Sequence, residues 1–273
     1  RNKEIHDLLY LKDRVKQFAN ENIISEEIGH NFYKDRRNGF ATDHKSFVGA
    51  QKQGLLPIVV HKKLVAVFTS SPDELEVAGD QWFTEANKDP VGFIKELRNQ
   101  LNEDYSIIVR MHPNQGGDRT NQSSEVLKKL TGMSGIIVLP PNSAASTYEL
   151  IDAADAVVSF GSSVGYEATY WGKVSIMAGR AIWEDLDVTY GVATANDAAA
   201  IIQGDFQSRP RTDCVKLSNF LIGIKDGSNT ISWSGGKDYG FKVDGKGYLV
   251  DKRASIFYYV NAFFDRLLRI KFN

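Results

Sequence analysis

Phosphate-directed chemistry has three places to sit in this chain. The fullest is the stretch Gly161-Ser162-Ser163, with Glu167 four residues beyond Ser163. A glycine lets the backbone turn sharply, and two serines then offer hydroxyls and backbone N–H groups where a helix begins. Helix N-termini favour anions, so this turn suits a diphosphate or the single phosphate of a CMP-sugar. Glu167, one turn into that helix, can accept hydrogen bonds from a ribose diol. An ordinary strand–turn–helix with a serine cap gives the same pattern.

The second place is Arg110-Met111-His112-Pro113-Asn114. Pro113 fixes the turn and biases His112 toward extended backbone. An imidazole there can donate to a phosphate and stabilise a leaving nucleotide. Arg110 can pair with the same phosphate, and strand alternation puts it on the face of His112. A surface histidine beside a turn is the bland alternative. The third place is Thr69-Ser70-Ser71, where the Thr69 and Ser70 hydroxyls can reach a phosphate; Asp73 and Glu74 fit better as the start of the next helix.

Other groups carry less. His6, His30, His44 and His61 lack partners at metal-ligand spacing. Asp185 and Asp187 read as solvated loop charges. No Gly-x-Gly-x-x-Gly opens the first strand–helix turn, which argues against a dehydrogenase, and a phosphate-loop lysine motif and a Gly-x-Ser-x-Gly elbow are also lacking.

Each of the three places follows a short apolar run. The runs 64–68, 105–110, 135–139, 156–160 and 173–177 read as buried strands. Helical patterns lie between them: 90–101 with Pro90 near its start, 121–130 closed by Gly132, 146–154 with a Ser146/Glu149 capping box, and 165–171. The alternation predicts a doubly wound, Rossmann-like parallel sheet, which binds ligands beyond the carboxyl ends of its strands.

The flanks differ. Residues 1–25 have helical spacing, with Ile5, Leu8, Leu9, Val15 and Phe18 roughly on one face. Residues 26–56 read as a polar, irregular loop or linker. After a helix near 210–224, the Gly- and aromatic-rich run 229–250 reads as a loop or hairpin, and 254–270 as an aromatic, basic helix. The domain reading is therefore 1–61, a helix and linker; 62–204, the Rossmann-like domain; and 205–273, helices and an aromatic loop that pack back on it. The aromatic helix also has a second reading, as an interfacial helix on a membrane.

A net charge of −1 gives no general field that would attract nucleic acid. Cys214 stands alone, which rules out an internal disulfide and fits a reducing compartment. No apolar run approaches a membrane span. The start at Arg1, with no signal-peptide pattern and no Met, is what a processed or truncated piece would show.

Residues 148–159, followed by Gly161-Ser162-Ser163-Val164-Gly165-Tyr166-Glu167-Ala168 and by Trp171-Gly172-Lys173-Val174-Ser175-Ile176, resemble the C-terminal, nucleotide-sugar-binding half of GT-B glycosyltransferases. The likeness is strongest to capsule polysaccharide biosynthesis proteins of the Kdo-transferase-like kind. His112-Pro113 is similar to the His-Pro motif of those enzymes and of several bacterial sialyltransferases. The resemblance spans about residues 62–180. It implies a catalytic His112 that contacts the donor phosphate. Arg110, Ser70, Gly161, Ser162, Ser163 and Glu167 would bind the nucleotide sugar, Glu167 through the ribose. No metal or other cofactor is implied. The acceptor would be a polysaccharide or glycolipid at the cytoplasmic face of a membrane, and nucleic acid is not a partner.

Two departures matter. Only about 60 residues precede the domain, where a GT-B enzyme carries an acceptor domain with the catalytic base. Lys173-Val174 replaces the usual Lys-Pro. Glu27, Asp35 and Asp43 are the base candidates within the 26–56 segment. A non-catalytic nucleotide-sugar-binding module and a sugar-nucleotide epimerase are the alternative readings.

Overall fold

In a computed structural model of the chain, the described residues are 8–21, 24–40, 47–59, 63–71, 80–117, 122–225 and the strands 232–234, 240–243 and 246–249. The chain divides into two compact units, Arg1–Asn219 and Phe220–Asn273. The N-terminal helices belong to the first unit.

The first unit is built on six parallel strands: β1 (Lys63–Phe68), β2 (Tyr105–Arg110), β3 (Ile136–Leu139), β4 (Ala156–Ser159), β5 (Val174–Met177) and β6 (Tyr190–Gly191). Their order is β3-β2-β1-β4-β5-β6. This is the doubly wound Rossmann-type arrangement anticipated from the sequence. The order reverses between β1 and β4, which pair from Val65↔Ala156 to Phe68↔Ser159. β2 and β4 are buried at every position.

Alternation along each strand serves two cores. Val65, Val67, Ile107, Val109 and Val158 face one side, under Ile94 and Leu97 of α4 (Pro90–Gln100) and Ala198 and Ala199 of α8 (Ala195–Gln203). Leu64, Ala66, Phe68, Ile108 and Val157 face the other, under Leu150 and Ile151 of α6 (Thr147–Ala153). A sheet covered on both faces keeps polar groups at its strand ends.

Strands β1 to β5 and helices α4, α5 (Gln122–Leu130), α6 and α7 (Val164–Tyr170) lie where the apolar runs and cap signals put them. β6 was not anticipated, since two residues are too short to show a period; α8 was also missed, despite the Thr194/Asp197 capping box at its start. A short helix, α3 (Glu85–Lys88), leads into α4.

The flanks need two corrections. In α1 (Leu8–Glu21), Leu8, Val15 and Ala19 form the buried stripe, whereas Leu9 is 63% exposed and Phe18 only partly covered. Ile5 lies outside the described residues. The expected irregular segment 26–56 instead opens with α2 (Glu26–Arg37), whose N-cap Ser25 accepts from the Ile28 N–H at 3.2 Å. Its buried face is Gly29, Phe32, Tyr33 and Arg36, a helical spacing obscured by having a glycine and a charge among its four members. Gly29 is required there, because a Cβ would lie 2.6 Å from Val215 Cγ1 on α9 (Arg211–Lys225).

In the second unit, β7 (Ser232–Ser234), β8 (Gly240–Val243) and β9 (Lys246–Leu249) form an antiparallel sheet in that order, which develops the expected loop or hairpin into a meander. The aromatic helix expected over 254–270 lies outside the described residues. Among the described residues, no helix is long and apolar enough to cross a membrane.

The turn after β4 makes the sharpest demand on sequence. Gly161 has φ +96°, and a Cβ on it would lie 2.6 Å from the Arg180 carbonyl oxygen. Gly161→Ala should therefore cost about 2–4 kcal/mol through backbone strain and overpacking. Gly191→Ala, with nothing within 4 Å of the added Cβ, should stay within about 0.5 kcal/mol of the parent. Urea titrations of the two variants against the parent check this contrast.

Candidate functional site

The strand-order reversal opens a crevice beyond the carboxyl ends of β1, β2 and β4. A cavity of about 120 Å3 lies there, lined among others by Thr69, Arg110, His112, Ser162, Ser163 and Glu167. Five of the seven expected site residues line it: Arg110, His112, Ser162, Ser163 and Glu167. Gly161 shapes the turn that presents the serines.

β4 delivers the serine turn. Ser163 is the N-cap of α7, yet its side chain makes no capping bond, and the Ser162 hydroxyl accepts from the Val164 N–H at 3.4 Å. Gly165 lets α7 sit close on the strand end, since a Cβ there would lie 2.9 Å from Ser159 Oγ.

β2 delivers His112. Its backbone N–H donates to Thr69 Oγ1 (3.1 Å) and to Gln115 Oε1 (2.9 Å), and the Thr69 hydroxyl donates to the same amide oxygen at 2.9 Å. The Asn114 N–H donates to His112 Nδ1 at 3.2 Å. A ring that accepts at Nδ1 carries its proton on Nε2, which makes Nε2 a donor. Phe47 packs edge-on against the ring, with centroids 6.1 Å apart.

Arg110 has a use the sequence did not reveal. Its guanidinium donates to the carbonyls of Ala145 (2.6 Å) and Ser143 (3.2 Å), pinning the loop between β3 and α6. Burial lowers its pKa from the ordinary arginine value. Ser70 is not brought to this cavity. Its hydroxyl donates to the Phe160 carbonyl at 2.7 Å, and it lines a second cavity of about 650 Å3 with Phe83, Asn87, Lys95 and Val126. Thr69 lines both cavities.

Glu167 is engaged on both oxygens. Oε1 accepts from Arg36 Nη2 at 2.9 Å, and Oε2 accepts from the Tyr148 hydroxyl. The two charged side chains are 4% and 7% exposed, so this is a buried ion pair. The guanidinium also lies near the rings of Phe32 and Tyr166, at 5.1 and 5.5 Å. Burial and the Glu167 carboxylate together push the Tyr148 phenol well above its ordinary value.

Arg36, Tyr148, Gln115 and Phe47 were missed from the sequence. For Arg36 the usable signal was the Gly29-Phe32-Tyr33-Arg36 spacing behind Ser25. The segment around Val48–Ala50 docks by bonds between distant residues: Thr147 N–H to Gln51 Oε1 (2.7 Å), Lys52 N–H to the Ala144 carbonyl (2.7 Å), and Gly54 N–H to the Glu149 carboxylate (3.0 Å). The expected Ser146/Glu149 capping box is consequently half made: Ser146 Oγ accepts from the Glu149 N–H at 3.2 Å, while the Glu149 side chain turns to Gly54. Of the base candidates, Glu27 and Asp35 are exposed on the outer side of α2, and Asp43 lies outside the described residues.

No protein-family model and no curated protein matches the chain. Among solved structures it is similar to proteins of the glycosyltransferase-like GT-B fold. One is the beta Kdo 2,4 transferase of Thermosulfurimonas dismutans KpsC, at 13% identity and a TM-score of 0.49, over 79% of this chain and 62% of that one. Another is the KpsC beta Kdo 2,7 transferase, at 18% and 0.47, over 94% and 69%. A third is the UDP-GlcNAc 2-epimerase of Methanocaldococcus jannaschii, solved with UDP-GlcNAc and UDP, at 11% and 0.39, over 79% and 53%. The chain thus spans less than two thirds of the first of these structures.

Two outcomes follow from the buried network. Arg36→Met strands the Glu167 carboxylate and should cost about 3–5 kcal/mol, whereas Arg36→Met with Glu167→Gln, which removes both charges, should cost clearly less. Denaturant midpoints of the two variants measure the difference. The raised Tyr148 pKa exceeds its unfolded value, so its contribution is complete below about pH 10 and is lost as pH rises through the folded value. Tyr148→Phe should therefore flatten the alkaline decline in stability, followed by unfolding midpoints between about pH 9 and 12.

Proposed function

We propose that this chain is the donor-binding half of a GT-B-type glycosyltransferase, acting on a nucleotide sugar whose phosphate sits between His112 and the Ser162–Ser163 turn. The observation that carries the reading is the convergence of groups from three separate strand ends. His112, whose Nδ1 is taken by the Asn114 N–H, Ser163, whose hydroxyl makes no capping bond, and Thr69 line one cavity at the strand-order reversal. The His-Pro motif favours a CMP-sugar. On this reading, the bond between the anomeric carbon and the phosphate oxygen breaks as an acceptor hydroxyl bonds to that carbon and gives up its proton to a base of the acceptor-binding half or to solvent. His112 Nε2 donates a hydrogen bond to the departing phosphate, and the serine hydroxyls share its charge. Protein donors carry that charge, and the reading asks for no resident metal. The acceptor is a bacterial surface polysaccharide or glycolipid, met at the cytoplasmic face of the membrane.

The exposed positions of Glu27 and Asp35 favour one second reading, a nucleotide-sugar-binding module that does not itself transfer. Sugar transfer by the full-length protein separates it from the first.

Thermal unfolding with CMP, CDP, UDP or GDP tests the donor site. A ligand at ~100 times its dissociation constant stabilises by about 2.7 kcal/mol. For a chain of this size that is a rise in Tm of roughly 5–10 °C. CMP is expected to produce the rise, and His112→Ala and Ser163→Ala to abolish it. A rise with UDP or GDP alone discards the CMP-sugar donor, and no rise with any of the four rejects the donor site in this chain.

A further inference from the structure

The larger cavity, about 650 Å3, falls in the size range of small-molecule sites, about 300–1,000 Å3, and the function proposed above makes no use of it. One of its lining side chains is an amide held at one end only. Gln115 is 6% exposed, and its Oε1 accepts from the His112 N–H and from the Thr69 hydroxyl, each at 2.9 Å. A backbone N–H can only donate, so the atom facing it must be the amide oxygen, and the amide nitrogen lies on the other side. Nε2 carries two N–H donors, and neither has a protein partner among the described residues. Gln115 lines the larger cavity and not the smaller one. A donor so nearly buried is costly to leave unmet.

The charges of the cavity are unevenly engaged. Lys88, Lys95 and Lys129 line it together with Asp89 and Glu125. Lys88 pairs with Glu85 at 2.8 Å, and Lys129 lies 3.8 Å from Glu125. The Asp89 carboxylate caps α4 by accepting from the Gly92 N–H at 2.9 Å. Half-buried Lys95 has no hydrogen bond or ion pair among the described residues. A cation and an amide donor, both without a protein partner, thus belong to one cavity, and each seeks an acceptor oxygen.

We infer that the larger cavity is a second ligand site, for a sugar-sized organic anion whose carboxylate or phosphate oxygens meet the Gln115 amide N–H groups and the Lys95 ammonium. The inference is independent of the nucleotide-sugar reading, since it uses neither His112 nor the serine turn.

The test titrates the whole chain with glucuronate, glucose 6-phosphate and glucose, which differ at one carbon. Proton–nitrogen NMR follows the backbone signals and the Gln115 side-chain amide, which is identified by its absence from Gln115→Glu. Both anions should shift the Gln115 amide saturably and neutral glucose should not; the tighter of the two decides between carboxylate and phosphate. Lys95→Met should weaken anion binding roughly ten- to a hundredfold. Gln115→Glu keeps an acceptor for the His112 N–H and the Thr69 hydroxyl but turns the donor into a carboxylate oxygen. It should abolish anion binding, read on the backbone signals of Val91 and Gly92. Ser163→Ala, in the smaller cavity, should leave both anion affinities unchanged. Should Gln115→Glu fail to fold, Lys95→Met still decides, because that side chain is half-buried and unpaired among the described residues. No saturable shift with either anion would overturn the inference and leave the Gln115 donors to water. Binding that survives Lys95→Met at full strength but is lost in Ser163→Ala would overturn it by putting the anion in the smaller cavity. If the anions bind as expected and no nucleotide does, the donor reading falls and this site stands.

Discussion

A parallel sheet covered on both faces leaves polar side chains almost nowhere to go except beyond its strand ends, and everything notable in the first unit follows from that. β2 and β4 are buried along their whole length, and Thr69, His112, Ser162 and Ser163, which line the smaller cavity, lie just past the strand ends. Reversal of the strand order between β1 and β4 then keeps the flanking connections apart at that point, and the crevice forms between them. Gly161 and Gly179 are the backbone expression of the same constraint. A Cβ at Gly179 would run into the Phe160 carbonyl, so the turns after β4 and β5 can lie against each other only as glycines.

Onto this frame the N-terminal region adds charge. α2 reaches α7 through Arg36 and Glu167, with Tyr33 stacked on Tyr170 at 3.8 Å between ring centroids and its hydroxyl bonded to the Cys214 carbonyl at 2.8 Å. An ion pair this deeply buried recovers its desolvation cost only if both partners are well bonded. The Tyr148 hydroxyl supplies the second bond to Glu167, and the Phe32 and Tyr166 rings lie beside the guanidinium. The arrangement ties the geometry of the serine turn to the seating of a helix more than a hundred residues earlier in the chain.

The strand-end turns also divide space. The bond from Ser70 to the Phe160 carbonyl joins the turns after β1 and β4, with His112 and the serine turn on one side and the larger cavity on the other. Thr69 touches both and, through Gln115, steadies the backbone of His112. Of two hydroxyls adjacent in sequence, Thr69 thus reaches both spaces and Ser70 only the larger one.

Local pattern was enough for the strands, most of the helices and the turns that end them. Apolar runs such as Ile107-Ile108-Val109, glycines at 132 and 161, and caps such as Ser146 act through neighbours a few residues away, and that information is contained in the sequence. His112, Ser162 and Ser163 were legible as site residues for the same reason: each follows a strand end. Tertiary structure decided the rest. It seated Arg36 beneath the cavity, turned Arg110 to loop carbonyls, sent Ser70 to a different cavity, gave Glu149 to Gly54 instead of its own cap, and docked residues 47–54 against α6. Each of these outcomes pairs a polar group with a partner far away in the chain. A buried donor or acceptor must find whichever partner folding brings within about 3 Å, and no local period encodes which one that will be.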